Sequence, residues 1–151
     1  MSDIWKPHTT VAAIIERNQQ FLMVEEVIHG EIVLNQPAGH LDPDESLLEA
    51  AIRETREETA WHFTPEYISG IYRWVHPQTQ QCYLRIAFVG SCDQHDEKQL
   101  LDDGIIRALW LSRDQLIEKQ NQLRSPLVIR CIDDYLAGKK YPLNLLTDIE
   151  S

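Results

Sequence analysis

The sequence predicts an α+β sandwich built around one sheet. Three observations carry that expectation. Short runs rich in β-branched and aromatic residues recur from residue 9 to residue 111. A stretch of helical composition without Gly or Pro, residues 46–59, interrupts them. A second helical stretch lies near the end of the chain.

The runs TTVAAIIE (9–16) and QFLMVEEV (20–27) read as strands of a hairpin, joined by a polar turn. After Gly30, EIVLNQ (31–36) is a third strand. The Pro, Gly and Asp content of PAGHLDPDE (37–45) marks a loop. Asp44 is the expected N-cap of the helix that follows, 46–59. YISGIYRWVH (67–76) and QCYLRIAFVGS (81–91) are two long strands separated by PQTQ. An acidic loop, 93–104, leads into the strand IIRALWL (105–111). Ser112 then caps a short helix, RDQLIEKQ. The final helix starts at Ser125, with Pro126 at its first position, and ends at Gly138. With 151 residues and no linker, repeat or low-complexity tract, residues 1–151 are expected to form a single domain.

Composition narrows the function classes. The net charge is −10, from 14 basic and 24 acidic residues. A protein that binds extended nucleic acid needs the opposite balance, so that partner is not expected. A small anionic substrate would need cations between itself and this chain. Cys82, Cys92 and Cys131 are odd in number and lack CxxC spacing. That pattern argues against a disulfide framework or a zinc site and suits a reducing cytoplasm. No signal peptide or membrane-length apolar run is evident, so no membrane partner is expected.

The helix 46–59 poses a physical problem. Glu54, Glu57 and Glu58 stand at i, i+3 and i+4, where like charges repel. At about 100° per residue, Leu47, Ala50 and Ala51 share their arc. The acids therefore continue an apolar face that turns toward the protein. A surface helix laced with ion pairs, Arg53 with Glu57 among them, is the plain alternative. Clustered, partly buried carboxylates are tolerated where they bind a divalent cation, and magnesium prefers such oxygens together with substrate phosphates.

The longer run GHLDPDESLLEAAIRETREETAW (39–61) resembles the Nudix box: Gly, five residues, Glu, seven residues, then Arg-Glu-U-x-Glu-Glu-x-Gly-U, with U bulky and apolar. Gly39, Glu45, Arg53, Glu54, Glu57 and Glu58 match it in type and spacing. Thr55 stands where an apolar residue is usual, and Ala60 replaces the last Gly. WKPHTTVAAII, NQPAGHL, YLRIAF, LRSPLV and YPL are similar to the NudJ phosphatase branch of that family. The resemblance covers roughly residues 5–143.

The resemblance implies a Nudix α/β/α sandwich with a mixed central β-sheet. It implies Mg²⁺-dependent hydrolysis of diphosphate linkages, with Mn²⁺ as a substitute, in a monomer or homodimer. Glu57, Glu58 and the Gly39 carbonyl are the implied metal ligands, and Glu54 a ligand or the general base. Arg53 is implied to orient the glutamates, and Glu45 to anchor the loop–helix geometry. The family commonly adds an acid from outside the box, for which Asp102 and Asp103 are the candidates. The branch implies release of orthophosphate from small molecules: nucleoside di- and triphosphates, thiamine pyrophosphate and its hydroxymethylpyrimidine precursor. Trp5, Trp74 and Tyr72 are candidates to stack on the ring, and Asn35 and Gln36 to hydrogen-bond it. Arg85, a charge inside a strand, points either to solvent or to a phosphate in a pocket. Alternatives remain: an ADP-ribose-type enzyme, suggested by Pro77; a triphosphate pyrophosphohydrolase; and a non-enzymatic binding module.

Overall fold

The structure, a computed structural model, describes residues 3–149. Its strands are β1 (His8–Ile14), β2 (Glu16–Arg17), β3 (Gln20–Ile28), β4 (Glu31–Asn35), β5 (Ala38–His40), β6 (His62–Val75), β7 (Cys82–Asp93) and β8 (Ile105–Leu111). Its α-helices are α1 (Leu47–Thr59), α2 (Arg113–Glu118) and α3 (Leu127–Leu136).

The expected single sheet is divided into two. One is mixed, in the order β5-β1-β7-β6, with β1 and β7 parallel and the other pairs antiparallel. The other is antiparallel, with β3 pairing β2, β4 and β8. The expected strand 9–16 accordingly breaks at Ile15, where the chain passes from one sheet to the other. Alternation along the strands splits the core in two. Val11, Ala13, Ile86 and Phe88 pack with Ala50 and Ala51 of α1. Ile14, Ala87 and Val89 pack with Val128, Cys131 and Ile132 of α3. The sandwich thus has an α1 face and an α3 face.

Several local expectations are corrected. The helix is capped by Ser46, not Asp44. Ser46 accepts from the Glu49 amide while the Glu49 side chain accepts from the Ser46 amide, a reciprocal box that Asp44 cannot build. Residues 38–40, expected in a loop, form β5 against Thr10–Ala12. The strand expected from 67 begins at His62 and passes through Pro65. Proline is tolerated there because β6 is an edge strand and its register shifts between Pro65 and Tyr67. Pro126 occupies the cap position of α3 rather than its first turn, and Ser125 Oγ accepts from Leu127 N.

The helix ends at Thr59, the last residue of the expected stretch, but its exit at Ala60 departs from local preference. Ala60 is a strong helix former, and the sequence favours a helix running on toward Pro65. Instead Ala60 takes the left-handed conformation, with φ 63° and ψ 14°. The chain must turn there because β6 starts two residues later. Tertiary pairing overrides the local preference.

Candidate active site

Helix α1 carries the carboxylates because its apolar residues leave only one way to dock. Ala50, Ala51, Thr55 and Thr59 face the core, which brings Glu58 inward and Glu54 to the rim. Thr55, at the box position that is usually apolar, is fully buried. Its hydroxyl is satisfied by donating to the Ala51 carbonyl at 2.8 Å. Thr59 Oγ1 donates to the Thr55 carbonyl at 2.6 Å and accepts from Trp61 N, which ties down the turn after the helix.

Arg53 is the local counter-charge. Its Nε and Nη2 donate to the two oxygens of Glu45 at 2.9 and 2.7 Å. Nη1 donates to Glu54 at 2.8 Å and to Glu57 at 3.1 Å, and Nη2 also reaches the His40 carbonyl. Glu45 in turn accepts from the Asp42 amide at 2.8 Å. One guanidinium so fixes the end of β5, the loop 41–46 and two helix carboxylates together.

A single cation does not neutralise this cluster. Oxygens of Glu54, Glu57 and Asp102 lie within 4.8 Å of one another. Burial pushes the Glu54 carboxyl up to about 7 despite Arg53. Burial and the neighbouring Asp102 raise Glu57 as well. Asp102 comes from the acidic loop and is set by its amide donating to the Glu57 carbonyl at 3.0 Å. Three hard oxygen donors that repel one another fit a divalent cation of the magnesium or manganese type.

The remaining box acid lies deeper. Glu58 Oε1 accepts from the Ala38 amide at 2.9 Å, and burial raises its carboxyl to about 9. It stands outside the three-residue cluster, as does Asp103, which is exposed. Gly39 lies against Glu54, and a methyl group at that position would overlap the Glu54 carboxylate. Glycine is needed there for close approach, a reason separate from its carbonyl.

A cavity of about 380 Å³ lies beside β5, whose Ala38, Gly39 and His40 line it. Asn35, Trp74 and Arg85 line it too, along with Glu26, Arg124 and Ser125. The Trp74 ring stacks with Tyr83 at a centroid distance of 5.8 Å. Of the other sequence candidates, Tyr72 is turned to the α3 face, where its hydroxyl donates to Asp134 at 2.7 Å. Trp5 is exposed. Gln36 is buried and holds Arg85. Pro77 is exposed in the turn between β6 and β7. Sequence reasoning missed Arg124, Glu26 and Tyr83. They come from three separate elements, and no spacing connects them.

Known proteins match this arrangement over nearly the whole chain. Residues 6–131 match the NUDIX domain. Phosphatase NudJ of Escherichia coli (strain K12) is 39% identical over 145 residues, covering 96% of this chain and 94% of that protein. A NUDIX hydrolase from Nitrosomonas europaea superposes with a TM-score of 0.94 at 48% identity, covering 95% of this chain and 98% of that one. The MutT protein from Methanosarcina mazei Go1 superposes with a TM-score of 0.69 at 25% identity, covering 91% of this chain and all of that one (100%). The box read from the sequence, the α+β sandwich that presents it and these matches agree: the chain belongs to the Nudix family and is a hydrolase of pyrophosphate bonds.

Proposed function

We propose that this protein is a Mg²⁺-dependent cytoplasmic phosphatase, a single-domain monomer or homodimer. It releases orthophosphate from hydroxymethylpyrimidine pyrophosphate, thiamine pyrophosphate and nucleoside di- and triphosphates. The observation that carries this reading is the opening of two features onto one strand. The carboxylate cluster meets β5 at Gly39, and β5 also lines the cavity. The 39% identity to phosphatase NudJ supports the outcome of the reaction.

When bound, Mg²⁺ supplies neutralisation of the phosphate charge that the acids alone would repel. Glu57 and Asp102 would hold it, with the Gly39 carbonyl and Glu58, which also accepts from the Ala38 amide, as further donors, and Glu54 as a ligand or the general base. Arg53 keeps Glu54 and Glu57 oriented. As general base rather than ligand, Glu54 takes a proton from the attacking water. The water oxygen bonds to the terminal phosphorus, and the bridging P–O bond breaks with its electron pair left on the bridging oxygen. Trp74 offers its face to the heterocycle.

A panel of these pyrophosphates with Mg²⁺, assayed separately for phosphate, pyrophosphate and organic product, tests the reading. Orthophosphate with the shortened ester is expected. Pyrophosphate as the main product would replace this reading with the triphosphate pyrophosphohydrolase one, and AMP from ADP-ribose with the ADP-ribose one.

A further inference from the structure

Arg85 lies mid-strand in β7, flanked by β1 and β6 through its pairings with Thr10 and Tyr72. It is 5% exposed and contributes to the lining of the cavity. Its hydrogen-bond partners are all neutral. Nη1 donates to Gln36 Oε1 at 2.9 Å and approaches Cys131 Sγ at 3.8 Å. Nη2 donates to Asn35 Oδ1 at 3.2 Å. Nε has no partner among the described residues. The other guanidinium of the cavity, Arg124, is already matched by Glu26 at 2.8 Å.

A buried, permanently charged group ordinarily has a counter-ion, because removal from water is costly without one. Arg85 has dipoles in place of a charge. Those dipoles are fixed in turn: Gln36 Nε2 donates to the Val128 carbonyl at 2.7 Å, so its oxygen stays on Arg85. Nε is buried without an acceptor and Nη2 has only the Asn35 oxygen, so the guanidinium is short of acceptors, and its fork of donors matches a phosphoryl group.

We infer that Arg85 is the anion receptor of the cavity and binds a phosphoryl group of the substrate. The choice of a phosphorylated substrate rests on the functional reading above, though anion binding itself does not. Asn35, whose oxygen is committed to Arg85, keeps its amide donors for the same anion.

Calorimetric titration of the metal-free protein with inorganic phosphate tests this, with EDTA present so that the carboxylate cluster plays no part. Saturable binding is expected for the wild type. It should weaken by about tenfold or more in Arg85→Met and be partly kept in Arg85→Lys, which preserves charge but not the fork. Circular dichroism checks folding, and if Arg85→Met does not fold, the decision passes to Arg85→Lys and to the inhibition constant of phosphate in turnover. Absence of binding to the wild type, or equal binding to the folded variants, overturns the inference. So does Arg85-dependent binding of a neutral probe such as cytidine without phosphate binding, which would assign Arg85 to the ring. Release of pyrophosphate by the wild type would defeat the functional reading alone and leave phosphate binding at Arg85 to be judged by the titration.

Discussion

Two charge clusters flank β5, and they are incomplete in opposite senses. On the α1 face, Glu54, Glu57 and Asp102 crowd together, and the one arginine that reaches Glu54 and Glu57 is already shared with Glu45. On the α3 face, Arg85 stands among amides and a thiol with no acid as partner. Ion pairs elsewhere close on themselves, as Asp134 does with Arg130 and Lys139. Among the described residues, the buried charged groups without an opposite charge in contact are Glu58, toward α1, and Arg85, toward α3, one on either side of β5. In the proposed reading, the imbalance of each of these two walls is relieved when its ligand binds.

The largest expected effect comes from weakening the acidic wall. Glu57→Gln keeps size and helix propensity but removes a charge. It should lower kcat by about 10²–10⁴-fold, measured at saturating Mg²⁺. A loss under about threefold there and in Glu54→Gln would place the chemistry elsewhere. The same wall distinguishes two neighbours. Asp102→Asn should raise the Mg²⁺ concentration giving half-maximal activity by about tenfold, whereas Asp103→Asn, outside the cluster, should leave it within about twofold. Equal shifts in both would reduce the loop to a general negative field.

A subtler test uses pH. Carboxyls raised above their ordinary value near 4.5 bind more protons folded than unfolded. The stability they contribute is therefore complete below that value and falls as pH rises, through about 7 for Glu54 and about 9 for Glu58. Metal-free melting temperatures should drop across that window. The gain on adding Mg²⁺, which relieves the repulsion, should grow with pH. A gain that shrinks toward alkaline pH would mean that the acids are not strained without metal.

The smallest effect isolates helix geometry from charge. Ala60 sits at positive φ, where glycine is free of the steric cost. Ala60→Gly should stabilise the fold by up to about 1 kcal/mol, read from denaturant melts, with activity unchanged. Destabilisation would instead favour a helix that runs on past residue 60.

The same two walls explain what was legible beforehand. The acidic wall is largely written on one helix. Its spacing exposes Glu54, Glu57 and Glu58 together, and an amphipathic face shows which way they turn. The cavity was opaque, because Asn35, Trp74, Arg85 and Arg124 come from separate parts of the chain and meet only where the two sheets and the segment before α3 come together. A lone arginine in a strand reads equally well as a solvent-facing residue. The helix boundaries failed for another reason. At residue 44 two capping residues competed, and the reciprocal bonds of Ser46 decided; at residue 60, propensity lost to the start of β6.

The acidic loop is fastened to α1 in a particular way. Asp102 N donates to the Glu57 carbonyl, Asp96 N to the Ala60 carbonyl, and Gln99 Nε2 to the Arg56 carbonyl. These carbonyls belong to the last turn of the helix and its cap, where intrahelical partners run out; that of Arg56 also accepts from the Ala60 amide at 2.9 Å. Two of the three clasps are main chain to main chain, so drift in the loop's sequence leaves them intact while residue 102 stays an acid. The arrangement also makes the terminal turn and the loop breathe as one. Each fraying of α1 would carry Asp102 away from Glu54 and Glu57, so amide exchange at Asp102 would report the lifetime of the assembled cation site.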